Sequence, residues 1–257
     1  MVLSMRRLTL ASLLFSSSLF SFGYRDDVRV GDPKNRYFLV EDAKHGFREA
    51  RLQAINECGA HKYIFCIRTL GDNLKDIDKD IRLFSARNLG IIGHRSAIQF
   101  LAIGLGQEGD MDVKSELIWA LGHIRHEESA EVIRDFLLDP SERIRRVSAH
   151  CLAEMFSMES LESIKWAMEN EKSDRVKVEQ LKAILLLIPS DTKYRSMMIE
   201  MLKSRDRWVR LVAVESMVEL KLKEGYRPLL DAIDHEEEQM VHEAMVAAEK
   251  IIRFLDR

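Results

Sequence analysis

The sequence has little of what interrupts an α-helix. Only four of its 257 residues are proline and 12 are glycine, whereas Leu, Ala, Glu, Lys, Arg and Met dominate from about residue 47 onward. Those six amino acids have high helix propensity. Because 46% of the residues are hydrophobic and 32% are charged, the chain also lacks the apolar poverty of disordered proteins. We therefore predict a globular, all-α protein.

Cysteine is scarce as well. The three cysteines are Cys58, Cys66 and Cys151, and an odd number at wide spacing excludes a disulfide framework. An oxidising compartment would permit a bridge between Cys58 and Cys66. In the repeat described below, Cys58 and Cys151 occupy an apolar and a small position, which favours core residues over reactive thiols.

Residues 1–23, MVLSMRRLTLASLLFSSSLFSFG, have the layout of a secretory signal peptide. Arg6 and Arg7 precede an uncharged, largely apolar run, and Ser21 and Gly23 suit the −3 and −1 positions of a cleavage site. The alternative is an uncleaved membrane anchor, but a run of about 15 residues is short of the roughly 20 that cross a bilayer. We predict export, to the periplasm or cell envelope of a bacterium or by secretion elsewhere, with membrane contact only through this segment.

The chain has no excess of basic residues. It contains 39 lysines and arginines against 42 aspartates and glutamates, a net charge of −3. Cleavage after Gly23 removes two arginines and no acidic residue, which brings the net charge to −5. Nucleic-acid binding needs a basic surface that neutralises phosphates, so the composition argues against a nucleic-acid partner.

Seven similar segments recur along the chain at a nearly constant step of roughly 32 residues, a period typical of repeat architectures. When the first residue of each copy is called slot 1, apolar residues fall at slots 1, 5 or 6, 9 and 12, the stripe of an amphipathic helix. Slot 8 is nearly always small, and slot 2 is basic or histidine. The copies are FREARLQAINECG at Phe47, IRLFSARNLGIIG at Ile81, VKSELIWALGHIR at Val113, IRRVSAHCLAEMF at Ile144, VKVEQLKAILLLI at Val176, VRLVAVESMVELK at Val209 and VHEAMVAAEKIIR at Val241.

A second amphipathic segment lies between successive copies, as in residues 96–105, 129–139 and 193–203, and an acidic or polar turn follows it. Each unit is therefore expected to be two antiparallel helices, whose apolar stripes only a neighbouring unit can cover. Stacking such pairs buries one continuous core. We predict an α-solenoid of about six to seven helix pairs over residues 47–257.

The copies resemble HEAT repeats of the short type named after phycobilisome bilin lyases, whose pattern is D-x-x-VR-x-x-A-x-x-AL-G-x-IG-x-x-x-A. ARNLGIIGHRSAI (86–98) and IWALGHIRHEESA (118–130) are the nearest matches, and later copies lose the glycines. The resemblance implies an architecture that serves many functions, in which the helix carrying the Val-Arg pattern lines the concave face. Residues 24–46 precede the repeats as a charged linker and, from Asn35 to Lys44, an incomplete capping helix.

The basic side chains at slot 2 and the acidic turns before them predict a structural ladder of ion pairs, for example Asp80 with Arg82 and Asp112 with Lys114. A charged recognition stripe is the alternative. The basic or histidine side chains at this slot are Arg48, Arg82, Lys114, Arg145, Lys177, Arg210 and His242.

One stretch, residues 113–129, concentrates candidate metal ligands. His123, His126 and Glu127, with His150 from the next copy, are residue types that zinc accepts. The alternative is that both histidines of the stretch are polar residues at a helix end, where they suit the helix dipole. No second half of a metal site is evident, so we predict neither a metal nor another cofactor.

Histidine–glutamate pairs also hold two irons in deoxyhypusine hydroxylases, which are built from similar repeats. The pairs in this chain begin at His126, His235 and His242, and they fall at three non-equivalent places of the repeat. A diiron site needs equivalent positions from two halves, so the pattern does not support one. A metal-dependent or lyase-like enzyme on the same scaffold is the alternative to a binding protein.

The remaining candidate is a surface. Slots 3, 7 and 11 project away from the apolar stripe, and tryptophan and arginine dominate protein-binding hot spots. The alternative for the tryptophan is that it packs into a neighbouring repeat. We predict an exported, non-catalytic scaffold that binds a protein or peptide through its concave face. The predicted contact residues are Arg87, Trp119, His123, Arg146, His150 and Lys182.

Overall fold

The computed structural model describes residues 33–254, which form 14 α-helices and no strand. The predicted signal peptide lies outside the described residues. Seven inner helices correspond to the seven copies: α2 (Arg48–Ala60), α4 (Lys79–Ile92), α6 (Met111–Ile124), α8 (Glu142–Glu154), α10 (Asp174–Leu187), α12 (Arg207–Glu219) and α14 (Gln239–Phe254). The others are α1 (Pro33–His45) and the outer helices α3 (Ile67–Asn73), α5 (Ile98–Gln107), α7 (Glu127–Arg134), α9 (Leu161–Glu169), α11 (Thr192–Glu200) and α13 (Tyr226–Ile233).

The inner helices form one layer in which each packs against the next, from α2 through to α14, and the outer helices form a second layer against them. The predicted all-α solenoid is thus confirmed, with six helix pairs followed by α14. The side chains at slot 1 lie between the layers, where each buried aliphatic residue contributes about 1.5–3 kcal/mol. Those with no exposed surface are Ile81, Val113, Ile144, Val176, Val209 and Val241.

A left-handed residue at slot 13 ends five of the inner helices and sets the register of the repeat. Its φ is +68° at Gly93 and between +51° and +54° at the non-glycine positions. Lys62 takes slot 13 of the first copy only if that copy starts at Ala50, three residues after the predicted start at Phe47. The predicted start at Phe47 is therefore wrong, and the Phe47 side chain is 74% exposed. The other non-glycine occupants of slot 13 are Arg125, Phe156 and Lys221.

The predicted ladder of ion pairs exists, but with different partners. Three arginines at slot 2 each reach forward to a glutamate in the next inter-repeat turn, with two hydrogen bonds. Its remaining nitrogen, Nη1, donates to carbonyl groups of the turn that precedes its own helix. The pairs are Arg82–Glu108 (2.8 and 3.2 Å), Arg145–Glu171 (2.7 and 2.9 Å) and Arg210–Glu236 (2.6 and 2.7 Å).

The predicted pairs Asp80–Arg82 and Asp112–Lys114 do not form. Lys114 instead lies 2.5 Å from Asp139 in the following turn. In the corrected register Arg51 takes slot 2 of the first copy and lies 2.6 Å from the carboxylate of Asp76. Each of these ion pairs thus spans one repeat, because the side chain at slot 2 points along the stack toward the next turn.

Asp80 and Asp112 belong to a second, more exposed row at the start of the inner helices. Asp80 pairs with Arg48, and Asp112 lies 2.6 Å from both Lys79 and Arg143. Exposed ion pairs of this kind contribute at most about 1 kcal/mol each. They therefore add little to the stability of the stack.

Acid is expected to destabilise the protein through the buried glutamates. Burial alone would raise the pKa of Glu108 and of Glu171, but hydrogen bonds from Arg82, Arg145 and backbone amides lower both below the ordinary 4.5. The bond from Arg210 likewise lowers the pKa of Glu236. A lowered pKa in the folded state gives stability that is complete above the unfolded value and is lost as the pH falls through the folded value.

Urea unfolding at stepped pH should therefore show a constant contribution from these pairs at neutral pH and a decline below about pH 4.5. The double variant Arg145→Met/Glu171→Leu is the control, because it removes one of the titrating pairs. A variant that loses as much stability in acid as the wild type would contradict this assignment.

The N-terminal end of the stack is closed by α1 and by a disulfide. Leu39 and Ala43 of α1 are buried, and Asn73 Nδ2 donates a 3.0 Å hydrogen bond to the carbonyl of Ala43. Cys58 and Cys66 form the bridge that the sequence left open, and it joins the end of α2 to the turn before α3. No helix within residues 33–254 is both long and apolar enough to cross a membrane.

Candidate partner-binding groove

A groove of about 800 Å³ runs across the C-terminal halves of the inner helices. Its lining includes α6, α8, α10, α12 and α14. The residues that line it are Trp119, Gly122, His123, Arg125, His150, Cys151, Glu154, Lys182, Val214, Glu215, Val218, Glu219, Ala244, Ala247, Ala248 and Ile251.

The groove lies on one face of the inner layer. Every residue that lines it belongs to an inner helix or, as Arg125 does, directly follows one. The outer helices supply none of the lining, so the groove opens on the face of the inner layer that is turned away from them. The expectation that this face is the concave one stays a prediction from the resemblance.

Trp119 and two histidines form one wall of the groove. The indole ring lies 5.0 Å from the imidazole of His150, measured between ring centroids, and 6.1 Å from that of His123. The Nδ1 atom of His123 is 3.1 Å from the carbonyl oxygen of Trp119. Trp119 is half-buried, because it packs against the core and also lines the groove.

Charged side chains join neighbouring helices beside this wall. The Lys182 ammonium lies 2.9 Å from Glu219 on α12, and the His150 imidazole lies 4.0 Å from Glu179 on α10. The side chains at slot 7 of successive copies thus follow one another along the groove. The structure brings together Trp119, His123, His150 and Lys182 of the six predicted contact residues.

The other two predicted contact residues lie elsewhere. Arg87 makes two hydrogen bonds to Glu116, at 2.9 and 3.1 Å, outside the groove lining. The guanidinium of Arg146 lies 4.1 Å from the ring centroid of Trp208, which bridges α8 and α12 across α10. Helix α10 lies between α8 and α12 in the layer, and its Val178 side chain is fully buried.

The apolar side of the groove was missed by the sequence reasoning. Val214 and Val218 from α12 and Ala247 and Ile251 from α14 face the tryptophan wall. Ala247 and Ile251 occupy slots 7 and 11 of the last copy, the same slots that supply His150 and His123. Following those slots to the end of the chain would have found them.

The candidate metal ligands serve separate structural roles. His126 caps the start of α7 by accepting a hydrogen bond from the amide of Glu128, as His94 does from Ser96 one repeat earlier. Glu127 pairs with Arg134 at 2.8 Å. Within residues 33–254 no three His, Cys, Asp or Glu side chains are placed to hold a metal ion.

Cys151 lies in the floor of the groove as a core residue. Its side chain is 1% exposed, and burial, helped by the charge of Glu154, raises the pKa of the thiol far above its ordinary value. A thiol nucleophile reacts as the thiolate. Burial thus disfavours the thiolate, and the Cys151 side chain packs α8 against Gly122 of α6.

Comparisons with known proteins agree with this architecture. A family model described as HEAT repeats matches residues 103–184, and no curated protein matches the sequence significantly. A chain in the complex of CpcE and CpcF of phycocyanin lyase from Nostoc sp. PCC7120 is similar with a TM-score of 0.54 and 14% identity, over 92% of this chain and 100% of that one.

The Escherichia coli protein YibA is similar with a TM-score of 0.51 and 12% identity, over 88% of this chain and 99% of that one. Human deoxyhypusine hydroxylase reaches a TM-score of 0.47 at 13% identity, over 86% and 96% of the two chains, which is too low to bear on function. At such identities the similarity establishes the fold alone. The protein is an all-α solenoid of HEAT-like repeats.

Proposed function

We propose that this solenoid is an exported scaffold that binds a protein or peptide partner in its concave groove, without covalent chemistry. The observation that carries the proposal is the groove itself, where a half-buried tryptophan faces an apolar wall. Aromatic anchors in partly buried pockets supply most of the energy of protein interfaces.

The rigidity of the wall supports a binding role. Trp119 is fixed by His150 on one side and by the core beneath it, so little side-chain freedom is lost when a partner packs against it. Preorganisation of this kind raises affinity because it lowers the entropy lost on binding.

Export is supported by two independent features. Residues 1–23 have the pattern of a signal peptide, and the Cys58–Cys66 disulfide is of a kind that persists in oxidising compartments.

Substituting Trp119 is expected to abolish partner capture. Tagged wild type, Trp119→Ala and Trp166→Ala are crosslinked in the native envelope or secreted fraction and compared by mass spectrometry. Trp166 is the matched control, because it is 55% exposed on the outer helix α9. Removing a hot-spot tryptophan costs about 2 kcal/mol or more, about thirtyfold in affinity.

The result that supports the proposal is a partner held by wild type and Trp166→Ala but lost by Trp119→Ala, with all three proteins folded by circular dichroism. Equal capture by the two variants would place the interface outside the groove.

The competing proposal is a lyase-like or metal-dependent enzyme on the same scaffold. Stoichiometric zinc or iron that is lost in His123→Ala would favour it.

A further inference from the structure

The groove carries an excess of negative charge. Three carboxylates line it, those of Glu154, Glu215 and Glu219, against the two permanent cations Arg125 and Lys182. Lys182 is already paired with Glu219. Among the residues that the structure describes, no hydrogen bond or ion pair links Glu154 or Glu215 to another side chain, so both carboxylates are available to an occupant.

The ends of the helices add to this negative charge. Glu154 is the last residue of α8 and Glu219 the last of α12, and His123 lies in the last turn of α6. The final carbonyl groups of a helix have no partner within it and carry about half a negative charge. The groove therefore lies at the negative end of several helices at once, whatever the ionisation of its side chains.

The groove also requires apolar contact. Val214 is 2% exposed and forms part of the floor, while the Ile251 side chain is 49% exposed at the wall. A fully hydrated, purely ionic ligand would leave this surface uncovered, and covering apolar surface contributes about 25 cal/mol per Å².

We infer that the occupant of the groove is a cationic amphipathic segment of a protein partner. It places apolar side chains between Trp119 and Ile251, and its Lys or Arg side chains against Glu154 and Glu215. The inference rests on the proposed function and specifies its partner chemistry. Acidic peptides and nucleic acids are disfavoured, because their charge has the same sign as the groove's.

The test uses a fluorescein-labelled amphipathic peptide of leucine and lysine, with two counterparts in which glutamate replaces every lysine or serine replaces every leucine. Binding to the full chain is measured by anisotropy at physiological ionic strength. The leucine–lysine peptide is expected to bind, and both counterparts to bind at least about tenfold more weakly.

A matched pair of variants locates the site. Glu154→Gln/Glu215→Gln is expected to weaken binding of the leucine–lysine peptide about tenfold. Glu159→Gln/Glu169→Gln makes the same change of charge at exposed positions next to and on α9 and should leave affinity within about twofold. Glutamate-to-glutamine changes at solvent-accessible positions keep the volume of the side chain, so the fold is preserved.

Equal weakening by the two double variants, or equal binding of the glutamate peptide, would overturn the inference. These outcomes are separate from failure of the proposed function. Capture that depends on Trp119 while the glutamate peptide binds equally well would reject only the cationic partner. Capture that is indifferent to Trp119 would reject the groove as the interface.

Discussion

Replacing Arg145 with alanine is expected to lower the free energy of unfolding by about 3–5 kcal/mol, because it leaves a buried carboxylate without its cation. The Glu171 side chain is 5% exposed and that of Arg145 is 18% exposed. The substitution also removes the hydrogen bonds from Arg145 Nη1 to the carbonyl groups of Asp139 and Pro140. Arg145 on α8 therefore no longer joins the turn before α8 to the turn that contains Glu171.

Urea unfolding measures the loss, and Lys203→Ala is the control. Lys203 also pairs with a glutamate, Glu200, but the two side chains are 72% and 63% exposed, so removal should cost less than about 1 kcal/mol. Arg145→Met/Glu171→Leu is expected to recover much of the stability, because it removes the uncompensated charge. A loss below about 1 kcal/mol in Arg145→Ala would show that the ladder does not stabilise the stack.

Replacing Gly90 with valine is expected to destabilise the protein by about 1–3 kcal/mol or more, through overpacking between α4 and α6. A Cβ atom at position 90 would lie 2.7 Å from the Cα and 3.0 Å from the Cβ of Ala120. Backbone cannot move aside as a side chain can, so the two helices must separate.

Gly106→Val is the matched control for this substitution. Gly106 also lies in a helix, α5, but a Cβ atom there meets nothing within 4 Å. Its valine variant should stay within about 0.5 kcal/mol of wild type. Equal urea midpoints for the two variants would contradict the close approach of α4 and α6.

The sequence predicts the stack well because each repeat is determined by local periodicity. Slot 1 is apolar in the sequence and fully buried in the structure from Ile81 to Val241. The first copy was misplaced because Phe47 is an apolar residue close to where slot 1 was expected. The turn that corrects the register, at Lys62, has no glycine to reveal its left-handed backbone.

The candidate site was only partly predictable. The row containing Trp119, His150 and Lys182 follows from slot 7, because equivalent slots of a repeat share one face. The bridge between Arg146 and Trp208 does not follow, since it depends on how sharply the layer curves. Curvature accumulates from small rotations between repeats. The spacing of hydrophobic residues in the sequence carries no information about those rotations.

The groove depends on the packing of α14, which supplies one of its walls. Helix α14 packs on α12 and α13. Elements with few contacts open locally at a small free-energy cost. Because α14 supplies a wall of the groove, such opening would dismantle the site while the N-terminal repeats stay folded. A ligand that contacts both α6 and α14 would bind the closed arrangement alone, and it would therefore stabilise the packing of α14 by mass action.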